Sequence, residues 1–276
     1  MQDDKKVSDH YAHGDLLNAI QSALSKQGKS IDKLTIEDLG PVDEFHIGGR
    51  QATTSFLGQL NFLKQDHILD IGCGLGGSAR YVADQSGARV SGIDLTQEYV
   101  DTGNTLCGWV KLDQQVSLYQ GSALGMPFDN GTFDAAYMMH VAMNIENKAQ
   151  LFEEVSRVLK PGAAFGIYDV MRDQQGELSY PVPWATEKST SKLATPDEYR
   201  EALTSAGFEV TGENNRRDFA LEFFARLRER AEASGGPPAL GLHTLMQEST
   251  GTKIQNLVHN IAQGFISPTE MFARKT

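Results

Sequence analysis

The sequence predicts an α/β fold built on a doubly wound, parallel sheet. Short apolar runs ending near glycine recur from Asn61 onward, helical patterns lie between them, and a glycine-rich loop joins the first run to the first helix. Strands alternating with helices imply a parallel sheet covered on both faces.

In chain order, residues 13–27, HGDLLNAIQSALSKQ, set Leu16, Leu17, Ile20, Ala23 and Leu24 on one helical face. The stretch that follows, through HIGGR at 46–50, is broken by Gly28, Gly40, Pro41, Gly48 and Gly49 and predicts turns and short helices. Strands are predicted at HILDIG (67–72), ARVSGIDL (88–95), VSLYQG (116–121), FDAAYMM (133–139) and AAFGIYDV (163–170). Before the last of these, Leu151, Phe152, Val155, Val158 and Leu159 share a helical face, with Lys160, Pro161 and Gly162 closing the helix. Thr195 can cap a helix that has Pro196 at its first position and ends at Gly207, before another strand. Residues 216–264 predict helices broken by SGGPP at 234–238, and GFISPTEMFARKT predicts a last strand.

The 276 residues are 40% hydrophobic and 22% charged, an ordinary globular balance. No run approaches the ~18 apolar residues of a membrane span, and MQDDKKVSDHY has no apolar signal core, so a cytoplasmic location is expected. Cys73 and Cys107 cannot make a disulfide framework, which fits a reducing compartment. A net charge of −11 disfavours nucleic acid and anionic membrane surfaces as partners. A small molecule is the expected partner.

Gly72-x-Gly74-x-x-Gly77 satisfies a dinucleotide pattern, and Asp94 ends the second strand where it can hold ribose hydroxyls. The loop alone leaves NAD and other adenosine cofactors open. Asp70, just ahead of the first glycine, can face a cationic ligand, where a pyrophosphate would be repelled, or can merely cap a turn. GSALGMPF (121–128) follows the third strand and RVLKPG (157–162) precedes the fifth. In this order and spacing the four features resemble the class I S-adenosylmethionine-dependent methyltransferases, closely over residues 65–170. HIGGR and QGSALGMPF are similar to segments of the glycine, sarcosine and dimethylglycine N-methyltransferases and the phosphoethanolamine methyltransferases.

The resemblance implies a Rossmann-like seven-stranded sheet, mostly parallel with the last strand antiparallel. It also implies an N-terminal helical lid at 1–60, a methyltransferase domain at 61–276 and a helical insertion at about 214–264 that shapes the acceptor pocket or a homodimer contact. S-adenosylmethionine is the implied cofactor. Asp70, Gly72 and Gly74 would hold its methionine part, Asp94 its ribose, and Leu95, Ser122, Ala123 and the Met139 backbone its adenine. Many relatives have Asp where this chain has Ser122, which can still hydrogen-bond the base. In HIGGR, Gly48 and Gly49 would approach the cofactor, Arg50 would support the lid or a carboxylate, and His46 would face the acceptor or pack as a loop histidine. His140, in MMHVAMNI, follows the fourth strand at the ligand-binding edge of the sheet. It is a candidate base; Asn144 and Tyr11 match further acceptor-side positions. Tyr180 and Trp184 offer aromatic faces to a cation or simply pack a loop, and Phe219, Phe223 and Phe224 suit core or lid packing. No spacing suggests a metal site.

The expected activity is methyl transfer to a small molecule, first an amine nitrogen, otherwise a carbon, oxygen or sulfur of an acceptor such as a quinone. An NAD-dependent oxidoreductase and a non-catalytic cofactor-binding module are the alternatives from other classes.

Overall fold

The computed structural model describes residues 2–12, 14–234, 240–246 and 249–276. Four helices come first: α1 (Gln2–Tyr11), α2 (Leu16–Lys26), α3 (Ile36–Asp43) and α4 (Gly49–Leu57). The alternating part follows as β1 (His67–Ile71), α5 (Gly77–Ser86), β2 (Arg89–Asp94), α6 (Gln97–Trp109), β3 (Val116–Gln120), β4 (Phe133–Met139), α7 (Lys148–Val158), β5 (Leu159–Arg172), α8 (Pro196–Ser205) and β6 (Phe208–Asn215). Three insertion helices, α9 (Arg217–Ser234), α10 (His243–Met246) and α11 (Thr250–Ala262), lead into β7 (Ile266–Lys275).

The seven strands form one Rossmann-like sheet in the order β3-β2-β1-β4-β5-β7-β6. β1 pairs in parallel with β2 and β4, while β7 lies antiparallel between β5 and β6. The sheet order reverses between β1 and β4, so their carboxyl ends open the crevice where open α/β sheets bind ligands. β1 and β4 are buried almost throughout, because both their faces are covered. On one face, Phe152, Val155, Phe165 and Tyr199 bring α7 and α8 onto the sheet. On the other, Phe56, Ala79, Val82 and Val100 seat α4, α5 and α6. The stripe of Leu16, Ile20, Ala23 and Leu24 packs α2 against Leu75, Tyr99 and Leu106.

The helix at 196–205 starts as its sequence predicts, with Thr195 and Glu198 bonding reciprocally around Pro196. Two expectations need correction. Gly40 and Pro41 do not break the chain; both lie inside α3, whose start is held by the Asp38 carboxylate accepting from the Thr35 N–H and hydroxyl. Lys160, Pro161 and Gly162 do not close α7; the helix stops at Val158, because Leu159 already pairs with Phe133. The break expected at 234–238 lies, apart from Ser234, outside the described residues.

Candidate functional site

The carboxyl ends of β1, β2 and β4, the N-terminal helices and the insertion enclose one cavity of about 1310 Å³. Of the residues singled out above as cofactor-binding or catalytic, all but Gly48 border it: Tyr11, His46, Gly49, Arg50, Asp70, Gly72, Gly74, Asp94, Leu95, Ser122, Ala123, Met139, His140 and Asn144.

The loop after β1 leaves its own space open at Gly74. This residue has φ +52°, and a Cβ placed there would have nothing nearer than Tyr99 Cδ2 at 4.0 Å. The Gly74 N–H donates to Asp94 Oδ2 at 2.9 Å, and the Thr96 N–H donates to Asp94 Oδ1 at 2.8 Å. Asp94 thus braces the loop, and its carboxylate still borders the cavity. Burial raises its pKa. Asp70 is buried, and its Oδ2 accepts from Ser78 Oγ at 2.8 Å and Tyr137 OH at 2.9 Å. Burial pushes Asp70 up to about 7 against the pull of those two donors. It therefore steadies the first turn of α5 as well as facing the cavity. Ser122 Oγ accepts from the Leu124 N–H at 3.3 Å, and Ala123 and Met139 complete that wall as buried side chains.

Across the cavity stands a polar cluster from the turn between α3 and α4. Thr53 Oγ1 donates to Glu44 Oε2 at 2.6 Å, and His46 Nε2 lies 2.9 Å from Thr53 Oγ1. Arg50 Nε is 3.0 Å from Glu44 Oε1. His46 Nε2 is also 3.3 Å from Glu44, but burial lowers the imidazole to about 4, so this contact joins a neutral ring to a carboxylate. Arg50 is the charge that balances Glu44. Arg50 Nη1 is buried without a hydrogen-bond partner and so has capacity for an acceptor in the cavity.

Gly48 and Gly49 separate in role. Gly48 has φ +96°, and a Cβ there would sit 2.5 Å from Phe219 Cε1, so its bareness serves the approach of α9. Gly48 does not border the cavity, contrary to the expectation that both glycines approach the cofactor; Gly49 does border it, with Phe223 beside it.

His140 follows β4 in the left-handed region, φ +57°, which costs a non-glycine residue ~1–2 kcal/mol. Its N–H donates to the Tyr168 carbonyl at 2.7 Å. Its Nε2 is buried with no hydrogen-bond partner, and burial, reinforced by His46, holds the ring well below the usual imidazole range. The rings of His46 and His140 are 6.1 Å apart, and Tyr168 lies 5.1 Å from His140. Asn144 Nδ2 donates to Tyr11 OH at 3.3 Å, joining α1 to the loop after β4. That loop is fixed from beneath: Asp169 accepts from the Met143 N–H and Tyr199 OH, and Lys148 Nζ donates to the Lys192 carbonyl. Trp184 is buried, donating to Ser191 Oγ at 3.0 Å while its side chain borders the cavity.

Sequence patterns did not single out Glu44, Thr53, Tyr168 or the buried pair Arg80–Asp43, in which Arg80 Nη2 meets Asp43 Oδ1 at 2.6 Å and Nη1 meets the Leu75 carbonyl. This pair ties α3 to the glycine loop. Its only sequence trace was an arginine on an otherwise apolar helix face. Among the described residues, no group of three or more His, Cys, Asp or Glu could hold a metal ion, and no helix is long and apolar enough to cross a membrane.

With this geometry in view, the comparisons with known proteins are informative. Residues 69–167 match a family described as a methyltransferase domain. The chain is 30% identical to a sterol 24-C-methyltransferase of Kluyveromyces lactis over 163 residues, 56% of this chain and 43% of that one. It is 27% identical to the O-methyltransferase resE of Aspergillus sclerotiorum over 63% of this chain and 66% of the other. The match thus spans about half the length of these curated relatives. Among solved structures, geranyl diphosphate C-methyltransferase from Streptomyces coelicolor aligns over 100% of this chain and 99% of its own, with a TM-score of 0.72 and 18% identity, a likeness of fold.

Proposed function

We propose that the chain, whose residues 69–167 match a methyltransferase domain, transfers a methyl group from S-adenosylmethionine to a small-molecule acceptor. What carries the proposal is convergence: the glycine loop, Asp94, the wall from Ser122 to Met139, and His140 all border one cavity. The residues fit the cofactor's chemistry, with open space at Gly74, a carboxylate for the ribose in Asp94, and an unused donor for a carboxylate in Arg50 Nη1. Asp70 suits the cationic methionine part; Leu95, Ser122, Ala123 and the Met139 backbone suit the adenine. When bound, S-adenosylmethionine supplies an electrophilic methyl on a sulfonium.

The protein then has to align the acceptor, exclude water and take a proton. Alignment can contribute ~7–11 kcal/mol in favourable cases. His140 is the group placed to take the proton: its Nε2 has no hydrogen-bond partner, and since burial lowers the proton affinity of the ring, the acceptor has to give up its proton readily. His46 flanks it, held by Thr53 and Glu44. Tyr11 and Asn144 close the acceptor side, with α1–α4 acting as the lid.

Glycine-like amines fit less well than first expected. Their carboxylate needs a cation of its own, yet Arg50 is given to the cofactor's carboxylate and Lys192 is paired with Glu146. An acceptor that surrenders an O–H, S–H or activated C–H proton to a neutral histidine suits the site better.

The test is S-adenosylhomocysteine release from S-adenosylmethionine across a panel of phenols, thiols, a short-chain quinol, glycine, sarcosine and phosphoethanolamine. Turnover on a phenol, thiol or quinol supports the proposal in full. Turnover on the amines alone keeps the methyltransferase and removes the role given to the neutral histidine. Tight cofactor binding with silence across the panel removes the support for catalysis.

A further inference from the structure

The cavity has room for a cofactor and an acceptor together. Its volume of about 1310 Å³ exceeds the ~300–1,000 Å³ that commonly encloses a single drug-sized ligand. The polar groups gather at one end, around Asp70, Asp94 and the His46–His140 pair. The walls given by the insertion are mostly apolar, among them Phe223, Leu227, Met246 and Ile254, though Arg230 and His243 border the cavity there too.

α9 gives these walls a direction. Phe219, Phe223 and Leu227 fall at four-residue steps and so share one helical stripe. Phe219 lies against Gly48 and Phe223 beside Gly49, so the stripe starts at the HIGGR turn next to His46. It ends at Leu227, 40% exposed and still bordering the cavity. Phe219 itself does not border the cavity; at 1.5 Å per residue, the part of the stripe that does, Phe223 to Leu227, runs roughly 6 Å. An apolar side chain left half in water at the end of an apolar wall marks a mouth through which a hydrocarbon passes.

Resting on the methyltransferase proposal, we infer that the acceptor carries an extended hydrocarbon tail, which lies along α9 between Phe223 and Leu227 and faces Ile254 of α11, with its nucleophilic head at His140. The insertion is then the tail subsite, and it selects acceptors by apolar length.

The experiment uses the full chain saturated with S-adenosylhomocysteine, whose own binding is measured first by calorimetry. 1-Butanol, 1-hexanol, 1-octanol and 1-decanol are then titrated, with binding followed by ligand-observed NMR. Each methylene moved from water into the chamber should tighten binding about two- to fourfold. Leu227→Gln and, separately, Ile254→Gln should weaken 1-decanol severalfold while leaving 1-butanol and S-adenosylhomocysteine unchanged. Leu227→Met, which keeps an apolar chain, should restore the decanol affinity. Affinity independent of chain length, no alcohol binding in the presence of bound S-adenosylhomocysteine, or equal losses for butanol and decanol in the variants would each overturn the tail subsite. Failure of S-adenosylhomocysteine itself to bind would instead overturn the methyltransferase proposal, and the inference with it.

Discussion

His140→Asn should separate catalysis from stability. The native residue occupies φ +57°, a conformation costing ~1–2 kcal/mol for most side chains and tolerated better by asparagine. Against this relief, the variant loses ring contacts to Tyr168 at 5.1 Å and His46 at 6.1 Å, ~0.5–1.5 kcal/mol in typical pairs. The two contributions cancel to about 1 kcal/mol, which for a chain of this size moves the melting temperature only about 2–4 °C. Loss of a general base lowers turnover ~10²–10⁴-fold. Three assays on the same preparation decide the matter: melting temperature, S-adenosylhomocysteine affinity, and turnover with an acceptor found in the panel. With S-adenosylmethionine saturating, the acid limb of the wild-type rate should lie below pH 6.5. A base must be unprotonated to act, and a lowered pKa keeps it so into more acidic solution. Turnover within threefold of wild type, or a loss of S-adenosylhomocysteine affinity matching the loss of rate, would refute the role of His140.

Asp70 should make cofactor binding pH-dependent. Burial brings it up to about 7, so S-adenosylmethionine affinity should rise as pH increases through that value and the carboxylate ionises, and Asp70→Asn should flatten the titration. Gly48→Ala should melt well below Gly49→Ala. Both pay backbone strain, but only the first drives a methyl into Phe219, an overpacking of ~1–3 kcal/mol; equal melting temperatures would contradict the assigned packing. Arg80→Met leaves Asp43 buried and unpaired and should cost ~3–5 kcal/mol in urea unfolding, with most of the loss recovered when Asp43→Asn is added.

The sheet was legible because its signals are local. HILDIG, ARVSGIDL and FDAAYMM are strands buried on both faces, and each glycine or aspartate at their ends marks where the chain turns. Asp70, Gly72, Gly74, Asp94, Ser122, Met139 and His140 were legible for the same reason, since they lie at or just beyond strand ends. What escaped depends on tertiary distance. Gly48 reads as a cofactor-facing glycine until Phe219, far along the chain, is seen to occupy the space beside it. Glu44 and Thr53 look like ordinary polar residues until His46 and Arg50 fold back onto them. Arg80 and Asp43 carry no periodic signature, since a buried ion pair is two residues that are each unremarkable in isolation. Pro41 reads as a break because the rule assumes a long helix; α3 spans only Ile36–Asp43 and carries the proline near its end.

The central claim, that this cavity is built for S-adenosylmethionine, is tested most directly by calorimetric titration of wild type and Asp94→Ala with S-adenosylhomocysteine and with NAD. Asp94, proposed to hold the ribose, would offer charge-assisted hydrogen bonds of ~1.5–3 kcal/mol each. The account predicts saturable S-adenosylhomocysteine binding, at least about tenfold weaker in Asp94→Ala, and negligible NAD binding. Unchanged affinity in the variant, or preference for NAD, would contradict it.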